Sequence, residues 1–409
     1  MRPLSVALLS WEYPPVVVGG LARHVYELGH GLVAEGHEVT VYTRGRDGSP
    51  PEEDDGGVRV IRVSEYPPPI GTDELVPWTL AFNIALVHRA ERDLRLRAPD
   101  VLHAHDWLVA YAAAVLKDLD VTPLVATIHA TEHGRHGGRL PGPTQRFIHR
   151  VERWLVAEAE RVVTCSAYMR EQVARHLGAD EDRLETIANE VDVPAFAHRG
   201  PSVRAELWRE DRPLLLFAGR LEYEKGLQTL LDALPLLDGV VPGAGLVVAG
   251  DGTYRSTLEE LSRSRALGHR VRFEGFVGED RLHALYAAAD VAVVPSLYEP
   301  FGLVALEAMA SGTPLVASDT GGLREIVVDE ISGLRFRPGD AEGLARAVAR
   351  VLLDPETSAR LQREAHSALA ARRSWTGAAA RTAEAYRKAI DTSRRAPTPL
   401  RTALQRSGT

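Results

Sequence analysis

Short runs of β-branched and apolar residues alternate with helix-period segments along nearly the whole chain, in two successive series. That alternation restricts the fold to stacked βαβ units, hence to parallel sheets with helices on their faces. In the first series, strands are predicted at Leu4–Ser10, Glu38–Tyr42, Val58–Val63, Val101–His103, Leu124–Ile128, Val162–Cys165 and Leu184–Ile187. The first helix follows Gly19-Gly20, with Leu21, Val25, Leu28, Leu32 and Val33 at helical spacing. Further helices are predicted at Trp78–Leu94, Trp107–Leu116, Thr144–Glu160 and Ala167–Leu177. The acidic, Pro/Gly-bearing stretch Gly45–Gly57 reads as a solvated loop. In the second series the predicted strands are Leu214–Ala218, Leu246–Ala249, Arg270–Phe273, Val291–Val294 and Leu315–Ala317. Helices are predicted at about Gly226–Leu237, Tyr254–Leu267, Glu279–Ala288 and Gly302–Ser311, then at Ala341–Leu353, Pro355–Ala371 and Thr376–Ile390.

At 409 residues the chain exceeds one ordinary core. The expected class is α/β: two Rossmann-like, doubly wound domains over 1–192 and 213–375, joined by a linker at 193–212. A C-terminal helix at 376–391 is expected to pack back on the first domain, and the basic tail 392–409 to be disordered. A net charge of −8 argues against nucleic acid as a partner. The lone Cys165 excludes a disulfide framework and a cysteine-based zinc site. No apolar run reaches ~18 residues, so no membrane span is expected, and a cytoplasmic enzyme is the default.

Two open α/β sheets put their chemistry in loops at the carboxyl ends of strands, where facing loops form a cleft. Val291–Pro295 reads as a buried parallel strand, and Glu299-Pro-Phe-Gly-Leu-Val-Ala-Leu-Glu307 follows it. Glu299 is expected to be exposed in the turn, beside a helix opened by Gly302, where it suits a sugar hydroxyl next to a phosphate. Glu307 falls on the helix's apolar face, and burial there costs several kcal/mol unless a polar partner meets it. A helix-terminal carboxylate plus a buried salt bridge would explain the same two residues.

The strand Leu214–Ala218 leads into Gly219-Arg220-Leu-Glu-Tyr-Glu-Lys225-Gly226. Arg220 and Lys225 flank the turn, suitably placed to grip a diphosphate from two sides. The competing reading is surface charge paired with Glu222 and Glu224. Gly19 and Gly20 let backbone amides approach an anion and aim a helix dipole at it, although a plain turn also fits. Neither a GxGxxG continuation nor GxxxxGK[ST] occurs, which disfavours nicotinamide and P-loop nucleotide binding. Gly250 and Glu274-Gly-Phe276-Val277 end two strands with open backbone suited to a nucleobase. Thr320-Gly321-Gly322 could add amides to phosphate.

In the first series His105, Asp106 and His129 follow strands and are expected to face the cleft. His103 and His105 are expected to point to opposite sides of their strand, which argues against a shared metal site. No DxD triplet occurs in a strand-end loop, so no metal ligand is assigned and no divalent cation is required. The loop His129–Arg139 carries His133, Arg135, His136 and Arg139 among glycines. It reads as an acceptor loop that orders on substrate binding, or as a solvated basic loop.

Taken together, these pieces resemble the retaining family 4 glycosyltransferases of GT-B fold, the group that includes bacterial glycogen synthases. The resemblance runs from Glu12-Tyr-Pro-Pro-x3-Gly-Gly to the C-terminal helix and rests on the two carboxylates eight residues apart with Gly-Arg-x4-Lys-Gly. Ser10-Trp-Glu-Tyr-Pro-Pro, His103-Ala-His-Asp-Trp and Tyr223-Glu-Lys-Gly look closest to α-1,4-glucosyltransferases acting on glycogen-like glucans and methylglucose lipopolysaccharides. It implies an acceptor-side first domain and a nucleotide-sugar-binding second domain. It further implies that the Gly19 and Gly20 amides hold the distal phosphate while Arg220 and Lys225 neutralise the leaving diphosphate. Glu299 would bind sugar hydroxyls, the Gly302 and Leu303 amides sugar or phosphate, and Glu307 the ribose. His129 would line the reaction centre and Asp106 would orient sugar or acceptor. One departure stands out: Asn189-Glu190-Val191-Asp192 replaces the family's Asn-Gly-[Val/Ile]-Asp, so Glu190 is either strained at positive φ or in another turn.

The implied reaction is transfer of glucose from a nucleotide diphosphate glucose to a glucan or oligosaccharide hydroxyl with retention, with no cofactor beyond the donor. Transfer of another hexose, including mannosyl transfer or synthesis of a phosphorylated disaccharide, is the alternative. A nucleotide-sugar 2-epimerase and a non-catalytic glucan-binding protein fit less well. The sequence leaves open the choice of UDP- or ADP-glucose and the oligomeric state.

Overall fold

The computed structural model describes residues 2–46, 48–63, 74–120, 122–191, 193, 203–209, 211–370 and 375–395. The first sheet contains β1 (Ser5–Leu9), β2 (Glu38–Arg44), β3 (Glu52–Asp55), β4 (Val58–Val63), β5 (Val101–His105), β6 (Leu124–Ile128), β7 (Arg161–Thr164) and β8 (Leu184–Thr186). Its spatial order is β3-β4-β2-β1-β5-β6-β7-β8, parallel except for β3. The second sheet contains β9 (Leu214–Ala218), β10 (Gly245–Ala249), β11 (Val271–Gly275), β12 (Val291–Val294), β13 (Leu315–Ser318) and β14 (Leu334–Phe336). Its order is β11-β10-β9-β12-β13-β14, all parallel.

The crossover helices of the first half are α1 (Gly20–Ala34), α2 (Leu75–Leu94), α3 (Ala110–Asp120), α4 (Pro143–Glu158) and α5 (Ala167–Gln172). Those of the second are α6 (Leu227–Leu237), α7 (Arg255–Ser264), α8 (Glu279–Ala288), α9 (Leu303–Ala310), α10 (Ala341–Leu353) and α11 (Pro355–Ala370). Helix α12 (Trp375–Arg395) closes the described chain.

Strand periodicity decides how the first sheet is sandwiched. Val6 and Leu8 of β1 point into one core with Val25, Leu28 and Leu32 of α1 and Tyr386 of α12. Ala7 and Leu9 point into the other, with Leu86 of α2, Ala113 of α3 and Leu155 of α4. Because both faces are covered, the strands read as continuous apolar runs; all four residues of β12 are buried. Helix α12 returns to the first half and crosses α1 where Gly31 leaves room: a Cβ there would lie 3.0 Å from that of Ala379. Its Lys388 pairs with Glu185 at 2.8 Å.

Several predicted elements need correction. Gly45–Gly57 is not all loop, because Glu52–Asp55 forms an antiparallel edge strand on β4, with Glu52 held by Arg59 at 2.6 Å. An acidic strand escapes a hydrophobicity criterion, and its charge suits an edge. The short β14 was not anticipated, Val173–Leu177 is a π-helical turn, and Arg204–Leu207 forms a helix inside the expected linker. Thr392–Arg395 continues α12 rather than starting a tail; residues 396–409 lie outside the described residues, as do 194–202 of the linker. Among the described residues, no helix is long and apolar enough to cross a membrane.

Each sheet reverses its winding direction once, between β1 and β5 and between β9 and β12. Loops diverge at such a point and leave a crevice at the carboxyl ends of the strands. The loops carrying Gly19, Asp106, Arg220 and Glu299 follow these four strands in turn.

Candidate active site

In the second half the chain leaves β9, makes a 3₁₀ turn at Tyr223–Lys225 and enters α6 through Gly226. Gly226 has φ 73°, and a Cβ there would sit 1.9 Å from the Pro295 carbonyl oxygen. Only glycine fits, and the fit brings Lys225 against the end of β12. Its Nζ lies 3.1 and 2.9 Å from the two Glu299 oxygens, and Ser296 Oγ donates to Oε2 at 3.0 Å. Glu299 is therefore buried, at 6% exposure, and not the exposed turn residue expected from sequence. The surface-charge reading of the turn also needs correction. Glu222 accepts from the Thr253 amide and hydroxyl, Lys225 turns to Glu299, and of the expected pairs Arg220–Glu224 forms, at 3.6 Å. The Gly321 turn wraps the same carboxylate's backbone, with the Gly322 amide donating to the Glu299 carbonyl at 2.9 Å.

Across the crevice, Glu12 is a residue that the sequence reading left without a role. Its Oε2 accepts from the Val18 and Gly19 amides at 2.8 and 3.0 Å, and burial pushes its carboxyl above the ordinary range. The Gly19 amide is thus engaged by Glu12 in this structure, not presented to the opening; the acceptor-only carboxylate claims the nearest orphan donors of the helix entry. The signal was the Ser10-Trp-Glu-Tyr-Pro-Pro segment, whose one carboxylate precedes the glycines. The second half closes directly on this turn. A Cβ on Gly19 would meet the Arg220 side chain at 3.3 Å, and one on Gly20 would meet Leu303 at 3.1 Å. Burial, and then repulsion from Arg135, lower the Arg220 guanidinium from its usual value. Both guanidiniums lie 3.6 Å from the Glu224 carboxylate, the anion that offsets their repulsion in this structure.

Asp106 ends β5 with φ 61° and ψ 176°. Its Oδ1 accepts from the His129 amide at 2.7 Å, yet burial dominates and raises its carboxyl to about 6. His105 Nδ1 and His129 Nε2 lie 3.1 Å apart, and the His24 ring of α1 stands edge-on to His129 with centroids 4.6 Å apart. Burial lowers His24 and His129 to about 3, so both are neutral imidazoles. His103 and His105 do not point to opposite sides, as expected: their ring centroids are 4.2 Å apart. Residues two apart on a strand share a face, so strand alternation puts the two rings on the same side. His103 itself is tied to Tyr386 Oη of α12 and Thr127 Oγ1, at 2.8 and 2.7 Å.

Glu307 meets its polar partner in the other half of the molecule. Arg23 Nη1 of α1 donates to Oε1 at 2.9 Å, and Tyr286 Oη donates to Oε2 at 3.2 Å. Other contacts knit the rim of the opening. The Thr131 amide donates to Tyr298 Oη at 3.1 Å, Ser166 Oγ to the Pro300 carbonyl at 2.6 Å, and the Ala167 and Tyr168 amides to Glu325 at 3.0 and 2.9 Å. The 129–139 loop is built, not bare: Thr131 caps the helical turn Glu132–Arg135, and Arg135 reaches Glu224 at 3.6 Å. With Tyr168, His176 and Tyr298 it lines a cavity of about 500 Å³. Phe276 is exposed beside the half-buried Val277, and Gly250 is pressed against the Gly219 carbonyl. Glu190 is absent from the positive-φ residues and is buried, with Arg381 3.7 Å away, so the departure from the family's glycine is met by a different turn.

Comparison with known proteins fits this geometry. Residues 18–194 match the family described as Glycosyltransferase Family 4, and 200–368 match Glycosyl transferases group 1. The chain is 42% identical over 398 residues to a glycogen synthase of Mycobacterium tuberculosis, covering 94% of both. It is 35% identical to a D-inositol 3-phosphate glycosyltransferase of Xylanimonas cellulosilytica, covering 95% of this chain and 97% of that one. A sucrose-phosphate synthase from Thermosynechococcus elongatus superposes with a TM-score of 0.83 at 28% identity, covering 96% and 100%. The chain belongs to the family 4 glycosyltransferases, has the GT-B fold and is a nucleotide-sugar-dependent glycosyltransferase.

Proposed function

We propose that this chain transfers glucose from a nucleotide diphosphate glucose to a hydroxyl of an α-1,4-glucan or glucan-like oligosaccharide, with retention, in the cytoplasm and without a metal cofactor. The observation that carries the reading is the Lys225–Glu299 pair, at 2.9 Å, at one winding reversal and opposite the Gly19-Gly20 turn of the other. A cation on the donor's phosphate bridge and a carboxylate on its hydroxyls then share one fixed contact. Lys225 keeps a third N–H for phosphate while two hold Glu299.

In the proposed reaction, the bond from the anomeric carbon to the phosphate oxygen breaks and the acceptor oxygen bonds to the same face of that carbon. The acceptor proton passes to the leaving phosphate oxygen. Arg220, Lys225 and the amides at the starts of α1 and α9 stabilise the charge that develops on the diphosphate. His129 and Asp106 position the sugar and acceptor, and Glu307 holds the ribose. Gly250, Phe276 and Val277 border the nucleobase, with Gly302, Leu303 and Gly321 near the phosphates.

The relatives' names and the cavity beside Glu224 support a second reading, a phosphorylated acceptor. Arg135, His133, His136 and His176 line that cavity. Nucleotide release from UDP-glucose and ADP-glucose, with a maltooligosaccharide or a sugar phosphate as acceptor, separates the two. Anomeric analysis of the product completes the test. A β-linked product, or no release from any hexose nucleotide, overturns the proposal.

A further inference from the structure

His24, His105 and His129 come from α1, β5 and the loop after β6, and each offers a ring nitrogen within 4.8 Å of the other two. His24 and His105 are more than nine-tenths buried, and the Nε2 of His24 has no hydrogen-bond partner. An orphaned buried nitrogen of this kind calls for an explanation. Asn189 Oδ1 lies 2.7 Å from His24 Nδ1; an oxygen can only accept, so Nδ1 carries the proton and Nε2 presents its lone pair. An acceptor on the far nitrogen is the arrangement that fixes the ring of a metal-binding histidine. His105 Nδ1 and His129 Nε2 are 3.1 Å apart, one donating to the other in a hydrogen bond that an ion would replace. Ligand nitrogens of a tetrahedral zinc ion, at ~2.05 Å from the metal, stand roughly 3.3 Å apart.

We propose that these three imidazoles form a site for a late first-row divalent ion such as Zn²⁺ or Co²⁺, and that filling it shuts off transfer. Three neutral nitrogens without a carboxylate among them suit borderline ions and not Mg²⁺ or Ca²⁺, which take oxygen ligands. His129 is the one partly exposed member of the three, which leaves a fourth position for water. His103 cannot join, because Tyr386 and Thr127 occupy both its nitrogens. The ion needs no net proton release, but the ring that donates in the His105–His129 hydrogen bond must move its proton to its far nitrogen. The inhibitory half of the proposal rests on the glycosyl-transfer reading, since His129 borders the reacting sugar there; the binding half does not.

The test uses the untagged full chain, stripped with chelator and titrated with Co²⁺. One equivalent should give the visible absorption of four-coordinate cobalt, displaced by Zn²⁺. One equivalent of Zn²⁺ should slow nucleotide release at least ~10-fold, with chelator restoring it. His24→Gln and His105→Gln should each weaken Co²⁺ binding ~10-fold or more. His133→Gln, in the separate His133–His176 stack, should leave it unchanged. Absence of the cobalt band in the unsubstituted protein overturns the site, whether or not the variants fold. So does a band that survives both substitutions or disappears with His133→Gln. Stoichiometric binding with full activity overturns the inhibitory role, and a chain inactive with every donor would overturn the transferase reading while leaving the spectroscopic result standing.

Discussion

Asp106 occupies a backbone region that ordinarily only glycine enters, and its carboxylate is buried as well. Strain of that kind costs on the order of 1–3 kcal/mol and persists where position matters more than stability. Burial raises its carboxyl to about 6 from the ordinary 3.8. Between those values the folded chain keeps a proton that the unfolded chain has lost. Asp106's contribution is therefore complete below about pH 4 and fades as pH rises through 6. Asp106→Asn removes that slope, so the variant should gain roughly 2 kcal/mol on the wild type between pH 4 and pH 8. Urea unfolding at both pH values checks this, and parallel curves would refute it. Arg220→Ala or Lys225→Ala should each lower turnover, per folded molecule, by roughly 10²–10³, as expected for ~3–4 kcal/mol of leaving-group stabilisation. Near-normal kcat in both would remove their assignment. These residues were legible because a charge just past an apolar strand is a local pattern. Glu12 was not, since its role lies in which amides the turn brings to it.

Turns between strands and helices do the positioning. Gly226 carries Lys225 to Glu299 because nothing larger fits beneath the Pro295 carbonyl. Gly226→Ala should lower stability by roughly 2–4 kcal/mol, the range for a strained backbone combined with a hard clash. It should also lower kcat beyond what partial unfolding explains; a normal unfolding midpoint would count against the geometry. Glu12→Ala frees the Val18 and Gly19 amides from their acceptor. The expected outcome is a donor KM higher by ~10-fold with unchanged circular dichroism; an unchanged KM would show that the turn holds its shape alone. Apolar strands and amphipathic helices were readable to within a few residues. The acidic β3 was not, because pairing with β4 makes it a strand while its own side chains do not.

The two halves meet through buried charge. Arg23 and Glu307 are 284 residues apart in sequence and 2.9 Å apart in space. Removing one member strands the other, at roughly 3–5 kcal/mol. Arg23→Ala should therefore destabilise the chain by about that amount. Arg23→Ala combined with Glu307→Gln should recover part of the loss, and a strictly additive double variant would show that the pair is not coupled. The sequence by itself determined the two parallel sheets, the glycine turns and the loops that carry charge. Each is settled by a few neighbouring residues and by the period of two or 3.6 at which side chains repeat. Only the tertiary structure decided that Glu307 faces Arg23, that Glu299 is buried on Lys225, that α12 reaches His103 through Tyr386, and that three imidazoles from separate elements converge. Those contacts depend on strand order and on how the halves dock, and no periodicity within a segment records the partner that a distant segment will bring.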